Sequence, residues 1–192
     1  MKVILASKSP RRRELLARII PEFDIITAPT DETLPCGMHP REGVEVLAVR
    51  KGAAVMELAS KDALIVSSDT LVEIDGTPLG KPEGREDAHR ILSLLSGRVH
   101  NVHTGVAVHY GNRVFSGTHT SRVTFRKLTD EEIYSYIDTG EPMDKAGAYG
   151  IQGMGGSFVE SFCGEFESIM GLSVTLTRAL IDEALKEEGK DD

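Results

Sequence analysis

The sequence predicts an α/β fold built on a mixed β-sheet. Helical and strand patterns alternate through the first half of the chain. Two long strand patterns, 98–110 and 113–125, then follow each other directly, and a hairpin makes the sheet mixed rather than purely parallel. No internal repeat or low-complexity linker breaks the 192 residues. Order and length fit one domain over 1–192, with two lobes sharing an elongated sheet and a cleft between them.

The elements follow in order. Residues 2–6 are apolar and partly β-branched and read as a strand. Ser9 is a good N-cap and Pro10 a good first helical residue, so a helix is expected over 10–20. A second strand at 23–27 leads into a proline-bearing loop, 28–41. Val44, Leu47, Ala48, Val55 and Leu58 suit one face of a helix over 42–58. ALIVSS, 63–68, is a short buried strand, and 71–74 is another, closed by an Asp75-Gly76 turn. A helix over 85–95 stops at Gly97. The hairpin turns at Gly111-Asn112. Thr129 and Glu132 form a capping box for a helix that runs to about residue 139. A glycine-rich stretch at 144–156, a strand at 157–162, a helix at 174–186 and a charged tail at 187–192 complete the chain.

Composition narrows the function classes. Hydrophobic content of 40% and charged content of 27% are ordinary for a globular protein with a real core. No apolar run approaches membrane-spanning length, and the first residues enter a strand without a secretory h-region. Cys36 and Cys163 stand far apart and make no metal-binding pair, so reduced thiols and a cytoplasmic setting are expected. A net charge of −8 argues against a nucleic-acid partner.

Against that acidic background, Arg11, Arg12 and Arg13 crowd the end of a helix that is already partly positive. Acidic residues suit that end. An anion resolves the conflict, because a helix N-terminus with arginine forks is a ready phosphate site. Ser7 and Ser9 add hydroxyls beside it. Asp31-Glu32 gains interest only with a cation nearby. Asp69 follows directly on the buried run 63–68, where α/β sheets gather ligands, and Thr70 offers a hydroxyl. Pro82 fixes the chain after Lys81. In DKAGAYGIQGMGG, glycines permit close backbone approach, with Lys145 and Gln152 as the polar handles.

The sequence has no P-loop, no G-x-G-x-x-G and no G-x-S-x-G. His100 and His103 fall on opposite faces of one strand, so they make poor joint metal ligands. What remains is Arg11, Arg12, Lys51, Lys81 and Lys145 with Glu32 and Asp69, a mixture suited to phosphoryl chemistry.

LASKSPRRRELL, SSDTLV, GKP, LSGRVHNVHTG and DKAGAYGIQGMGG occur in this order across nearly the whole chain. Together they resemble the Maf family of nucleoside triphosphate pyrophosphatases, in the branch that acts on dTTP and UTP. The resemblance implies the Maf/ITPase-like fold and a metal-dependent (Mg²⁺ or Mn²⁺) cut of a nucleoside triphosphate into monophosphate and pyrophosphate. It implies that Asp69 is the proton acceptor, and that Arg11, Thr70 and Gln152 choose the base. Ser7, Arg12, Lys51 and Lys81 fall on phosphate-site positions, and Glu32 on a metal-site one. Asp69 and Glu32 are then the expected ligands of the cation. A homodimer follows by family analogy only. Gly52 stands where the family usually has alanine, which predicts a looser helix near Lys51. Ser173 stands where proline is usual. Two other functions compete: a weakly catalytic nucleotide-binding regulator of cell division, and a pyrophosphatase for other or modified nucleotides.

Overall fold

The computed structural model describes residues 1–188. β1 (Lys2–Leu5) leads to α1 (Pro10–Ala17), a two-residue β2 (Asp24–Ile25) and the long α2 (Pro40–Met56). β3 (Ala63–Ile74) turns through Asp75-Gly76 into β4 (Thr77–Leu79), followed by α3 (Arg85–Leu95). The hairpin β5 (Val99–Tyr110) and β6 (Arg113–Phe125) precedes α4 (Asp130–Ile137). β7 (Val159–Cys163), α5 (Phe166–Met170) and α6 (Val174–Glu188) end the described chain. No helix among the described residues is long and apolar enough to cross a membrane.

The seven strands form one mixed sheet, ordered β2-β1-β3-β5-β6-β7, with β4 also on β3. β1 runs parallel to β3, and the β3–β5, β5–β6 and β6–β7 pairs are antiparallel. The expected mixed α/β architecture is therefore present. β3, β5 and β6 are long enough to run through two apolar cores. Leu15, Leu64, Val66, Val106 and Leu172 belong to one. Val72, Leu92, Val102, Phe125 and Ile133 belong to the other. A third cluster, Ile4, Ala6, Val55, Ala63 and Ile65, packs between α2 and the other face of β1 and β3; the first two cores are the lobes on either side of the cleft.

One edge of β3 creates the opening between them. β1 covers that edge at Ala63–Val66, and β4 covers it at Val72–Ile74. β5 occupies the opposite edge throughout. Residues 67–71 thus have no strand neighbour on the first edge among the described residues. The SSDT motif lies in this gap.

Several elements differ from the sequence reading. The two strands at 63–68 and 71–74 are one continuous β3, because β5 pairs without interruption from Ile65 to Glu73. Asp69 therefore stands in mid-strand, not beyond a strand's end. The second strand shrinks to Asp24–Ile25. α2 starts earlier, at Pro40, with His39 Nδ1 accepting from Arg41 N–H, and it stops at Met56. Leu58 is consequently 63% exposed, not part of the helix face. β4 and α5 escape the sequence reading. Both are too short to show a period. The glycine-rich stretch and its flanks fold into three 3₁₀ turns, Glu141–Asp144, Ala146–Ala148 and Met154–Phe158. The capping box of α4 is present as expected. From residue 189, the expected charged tail lies outside the described residues.

The two family departures acquire reasons. A Cβ on Gly52 would stand 2.3 Å from the His109 ring and 2.7 Å from Ser67 Oγ. His109 Nε2 donates to Val49 O at 3.1 Å, so the imidazole fills the space under α2. Glycine here permits close packing rather than loosening the helix. Ser173 Oγ accepts from Leu176 N–H at 3.1 Å and donates to Glu165, which makes it a cap for α6.

Candidate active site

A cleft of about 1110 Å³ opens where the β3 edge is bare. Ser7, Ser9, Arg11, Arg12, Glu32, Lys51, Asp69, Thr70, Lys81, Lys145 and Gln152 all line it. The sequence separates these residues widely, and the fold gathers them from α1, α2, β3, the end of β4 and the glycine-rich turns.

Strand alternation sets the directions of the SSDT side chains. Ser67 and Asp69 face α2. Ser67 Oγ donates to Ala48 O at 2.7 Å, and Asp69 meets Lys51. Ser68 and Thr70 face the other layer. Ser68 Oγ donates to Gly171 O at 2.9 Å, and Thr70 Oγ1 lies 3.1 Å from Thr104 Oγ1.

Lys51 Nζ joins two carboxylates, Asp69 and Glu32, with Glu32 Oε1 at 2.8 Å. Asp69 is only 8% exposed, whereas Glu32 is a loop residue open to solvent. Such a buried carboxylate needs a cationic partner, and Lys51 is its one ion-pair partner among the described residues. The hydrogen bond from Lys51 holds the Glu32 carboxyl below its ordinary value, assisted by the charges of Lys51, Lys81 and Arg12.

Arg12 is threaded between layers. Its Nε donates to Gly171 O at 2.8 Å and its Nη2 to Thr70 Oγ1 at 3.3 Å. Burial lowers its pKa, and the neighbouring Asp69 charge opposes that effect. Arg11 Nε donates to Met170 O at 3.4 Å. Both guanidiniums therefore rest on carbonyls at the C-terminal end of α5, where the helix is partly negative. This support has no signature in the sequence, because a five-residue α5 is too short to show a helical period. Arg13 is exposed and does not line the cleft. Ser9 Oγ accepts from Arg12 N–H as N-cap, and Ser7 Oγ accepts from Ser9 N–H.

The opposite wall is less committed. Lys81 and Gln152 are exposed and have no side-chain partner among the described residues. Lys145 Nζ donates to Glu141 O at 2.7 Å and to Asp144 Oδ1 at 2.6 Å. Lys8, Glu141 and Asp144 also line the cleft and were not singled out from sequence. Lys8 sits inside the SKSP motif, the one signal that pointed to it. The lining holds six cations against four carboxylates, a positive excess within a chain of net charge −8. His100 and His103 lie on opposite faces of β5, as expected. One meets Tyr149 and the other meets Thr120 and Glu73.

No group of three or more His, Cys, Asp or Glu side chains able to hold a metal occurs among the described residues. Glu32 and Asp69 nevertheless converge on one point, since both reach the same ammonium. Two converging carboxylates suit Mg²⁺ or Mn²⁺ accompanied by phosphate oxygens, because Mg²⁺ seldom uses an all-protein cage.

The chain is similar to known proteins over nearly its whole length. The family model described as Maf-like protein matches residues 2–184. A dTTP/UTP pyrophosphatase of Bdellovibrio bacteriovorus is 45% identical over 187 residues, which cover 94% of this chain and 97% of that protein. Another, from Thermococcus kodakarensis, is 46% identical over 175 residues, covering 91% and 92%. Among solved structures, the Staphylococcus aureus Ham1 protein superposes with a TM-score of 0.52 at 15% identity, covering 99% of this chain and 100% of that one. That likeness concerns the fold alone.

Proposed function

The chain belongs to the Maf family, and on that premise we propose that it is a nucleoside triphosphate pyrophosphatase acting on dTTP and UTP. Water attacks the α-phosphorus, the α–β anhydride bond breaks, and the products are the nucleoside monophosphate and pyrophosphate. The observation that carries this proposal is the bare β3 edge, where one buried carboxylate, Asp69, faces a wall of cations. The relatives' shared activity supports the same reading.

In this mechanism the triphosphate lies against Ser7, Ser9 and the start of α1. Arg12, already held in place by Gly171 O and Thr70, presents its remaining N–H groups to phosphate oxygens. Lys51 and Lys81 neutralise charge that grows on the leaving pyrophosphate. Asp69 orients the attacking water and takes its proton. The ion pair with Lys51 holds the Asp69 carboxylate in place over the cleft. Glu32 and Asp69 would hold a divalent cation, which supplies further neutralisation of the phosphates when bound.

Lys145 and Gln152 stand at the base end, with Arg11 and Thr70 between the two ends. Uracil and thymine present an N3 donor between carbonyl acceptors, and a glutamine amide matches that edge. The cavity needs only room for the 5-methyl group of thymine. The cytoplasm, with its reduced thiols and nucleotide pool, is the expected setting.

A panel of nucleoside triphosphates, assayed for pyrophosphate release with Mg²⁺ or Mn²⁺ and after EDTA, tests the proposal. Release from dTTP and UTP, abolished by EDTA, is expected. A nucleotide-binding regulator of cell division would bind without turnover. A pyrophosphatase of other specificity would prefer purine or methylated nucleotides.

A further inference from the structure

The turns that carry Gln152 are folded round a single carboxylate. Glu141 Oε1 accepts from Tyr136 OH at 2.8 Å and from Gly155 N–H at 3.3 Å. Glu141 Oε2 accepts from Met154 N–H at 3.0 Å. Tyr136 OH in turn accepts from Gly150 N–H at 3.1 Å. The backbone is thus tied down at 150, 154 and 155, with Gln152 at the tip between the ties.

The fit is close. A Cβ on Gly153 would stand 2.3 Å from Glu141 Oε1, so only glycine lets the chain pass the carboxylate. Every group facing Glu141 is a donor, and only an ionised carboxylate accepts from all of them. Burial works to raise the Glu141 pKa, but these donors hold it below its ordinary value. With its oxygens committed to protein donors, Glu141 lines the cleft as support for Gln152.

We propose that Glu141, acting with Tyr136, is the positioning residue that sets base selectivity by fixing the backbone on which Gln152 reaches the nucleobase. The proposal rests on the pyrophosphatase reading and on Gln152 as the base contact. A glutamine amide has donor and acceptor ends and can turn to suit cytosine as well as uracil. On a loose loop it would meet either base. On an anchored backbone the amide meets the base edge at one distance and angle. Glu141 belongs to the turn after α4, whereas Asp69 and Lys51 lie on β3 and α2. Selectivity therefore moves apart from turnover.

The test measures kcat and KM for dTTP and dCTP with the wild type, Glu141→Gln, Tyr136→Phe and Gln152→Ala. Glu141→Gln keeps shape but sets an NH₂ against a backbone donor. The expected result is a dTTP:dCTP ratio of kcat/KM that falls about tenfold in Glu141→Gln and Tyr136→Phe, chiefly through KM, as loss of a specificity contact does. A wild-type ratio in both variants, alongside a lowered ratio in Gln152→Ala, overturns the proposal and leaves the pyrophosphatase reading standing. A loss of thermal stability with an unchanged ratio likewise shows a merely structural role and overturns it. If Glu141→Gln does not fold, the Tyr136→Phe ratio decides by the same criterion. A wild type that releases pyrophosphate from neither nucleotide overturns the pyrophosphatase reading, and this proposal with it.

Discussion

Lys51 and Asp69 form an ion pair between α2 and the bare edge of β3, and Glu32 closes on the same ammonium from the loop. The pair joins the gap in the sheet to a helix that packs over it. It also fixes the one carboxylate buried in the cleft among the described residues.

Asp69→Asn keeps the side-chain shape and removes the proposed proton acceptor. The expected loss in kcat for dTTP is about 10²–10⁴-fold, the usual contribution of a positioned general base. Circular dichroism and the melting temperature should stay near wild type, because Lys51 retains Glu32. An Asp69→Asn enzyme with full turnover would remove Asp69 from the chemistry.

Gly52 and His109 should behave as a coupled pair. Gly52→Ala drives a methyl into the buried imidazole, and overpacking of this kind costs about 1–3 kcal/mol. Adding His109→Ala opens the space, so the alanine at 52 should then cost much less. Urea unfolding of the two single variants and the double variant gives the coupling energy. Additive losses would show that the two residues do not press on each other.

Stability should fall in mildly acidic solution, in part through His100. Burial pushes this imidazole from 6.5 to about 4 in the folded protein. Well above pH 6.5 it is neutral in both states and contributes no pH dependence. Between about pH 6.5 and 4 the unfolded chain takes up a proton that the folded protein refuses, so stability drops as pH falls, by at most about 1.4 kcal/mol per pH unit. Burial also lowers His103 and His109, which add to the same trend. Comparing unfolding at pH 7 and pH 5 isolates His100: His100→Phe, whatever its offset, should lose less between the two than wild type. Equal losses would mean that His100 accepts its proton while folded.

Much of the fold was legible because it is written in local patterns. The long hairpin announced itself through two sustained strand runs around Gly111-Asn112. The α4 capping box, Thr129 with Glu132, is a four-residue signal that survives intact. Short elements were not legible. β4 and α5 hold too few residues to show a period, and they owe their form to the strands and carbonyls beside them.

The cleft lining was legible one residue at a time, since charge misplaced by local rules asks for a partner. Arg11 and Arg12 at a positive helix end, and Asp69 in a buried run, are such residues. Their partners were not legible. Arg12 is held by Gly171 O, 159 residues away, and Lys51 finds Asp69 across 18 residues. Nor did any rule of spacing reveal that Asp69 sits in mid-strand, or that Glu141 gathers the turns round Gln152.

The sequence by itself determined the α/β class, the order of the long elements and the chemical types available for a phosphate site. These depend on period, capping and charge, which act within a few residues. Only the tertiary structure decided where the sheet edge is left open, which cations face it and what holds the turns around Gln152 in place. Those outcomes arise because β1 and β4 cover different stretches of one β3 edge, and strand pairing over that distance has no local signature.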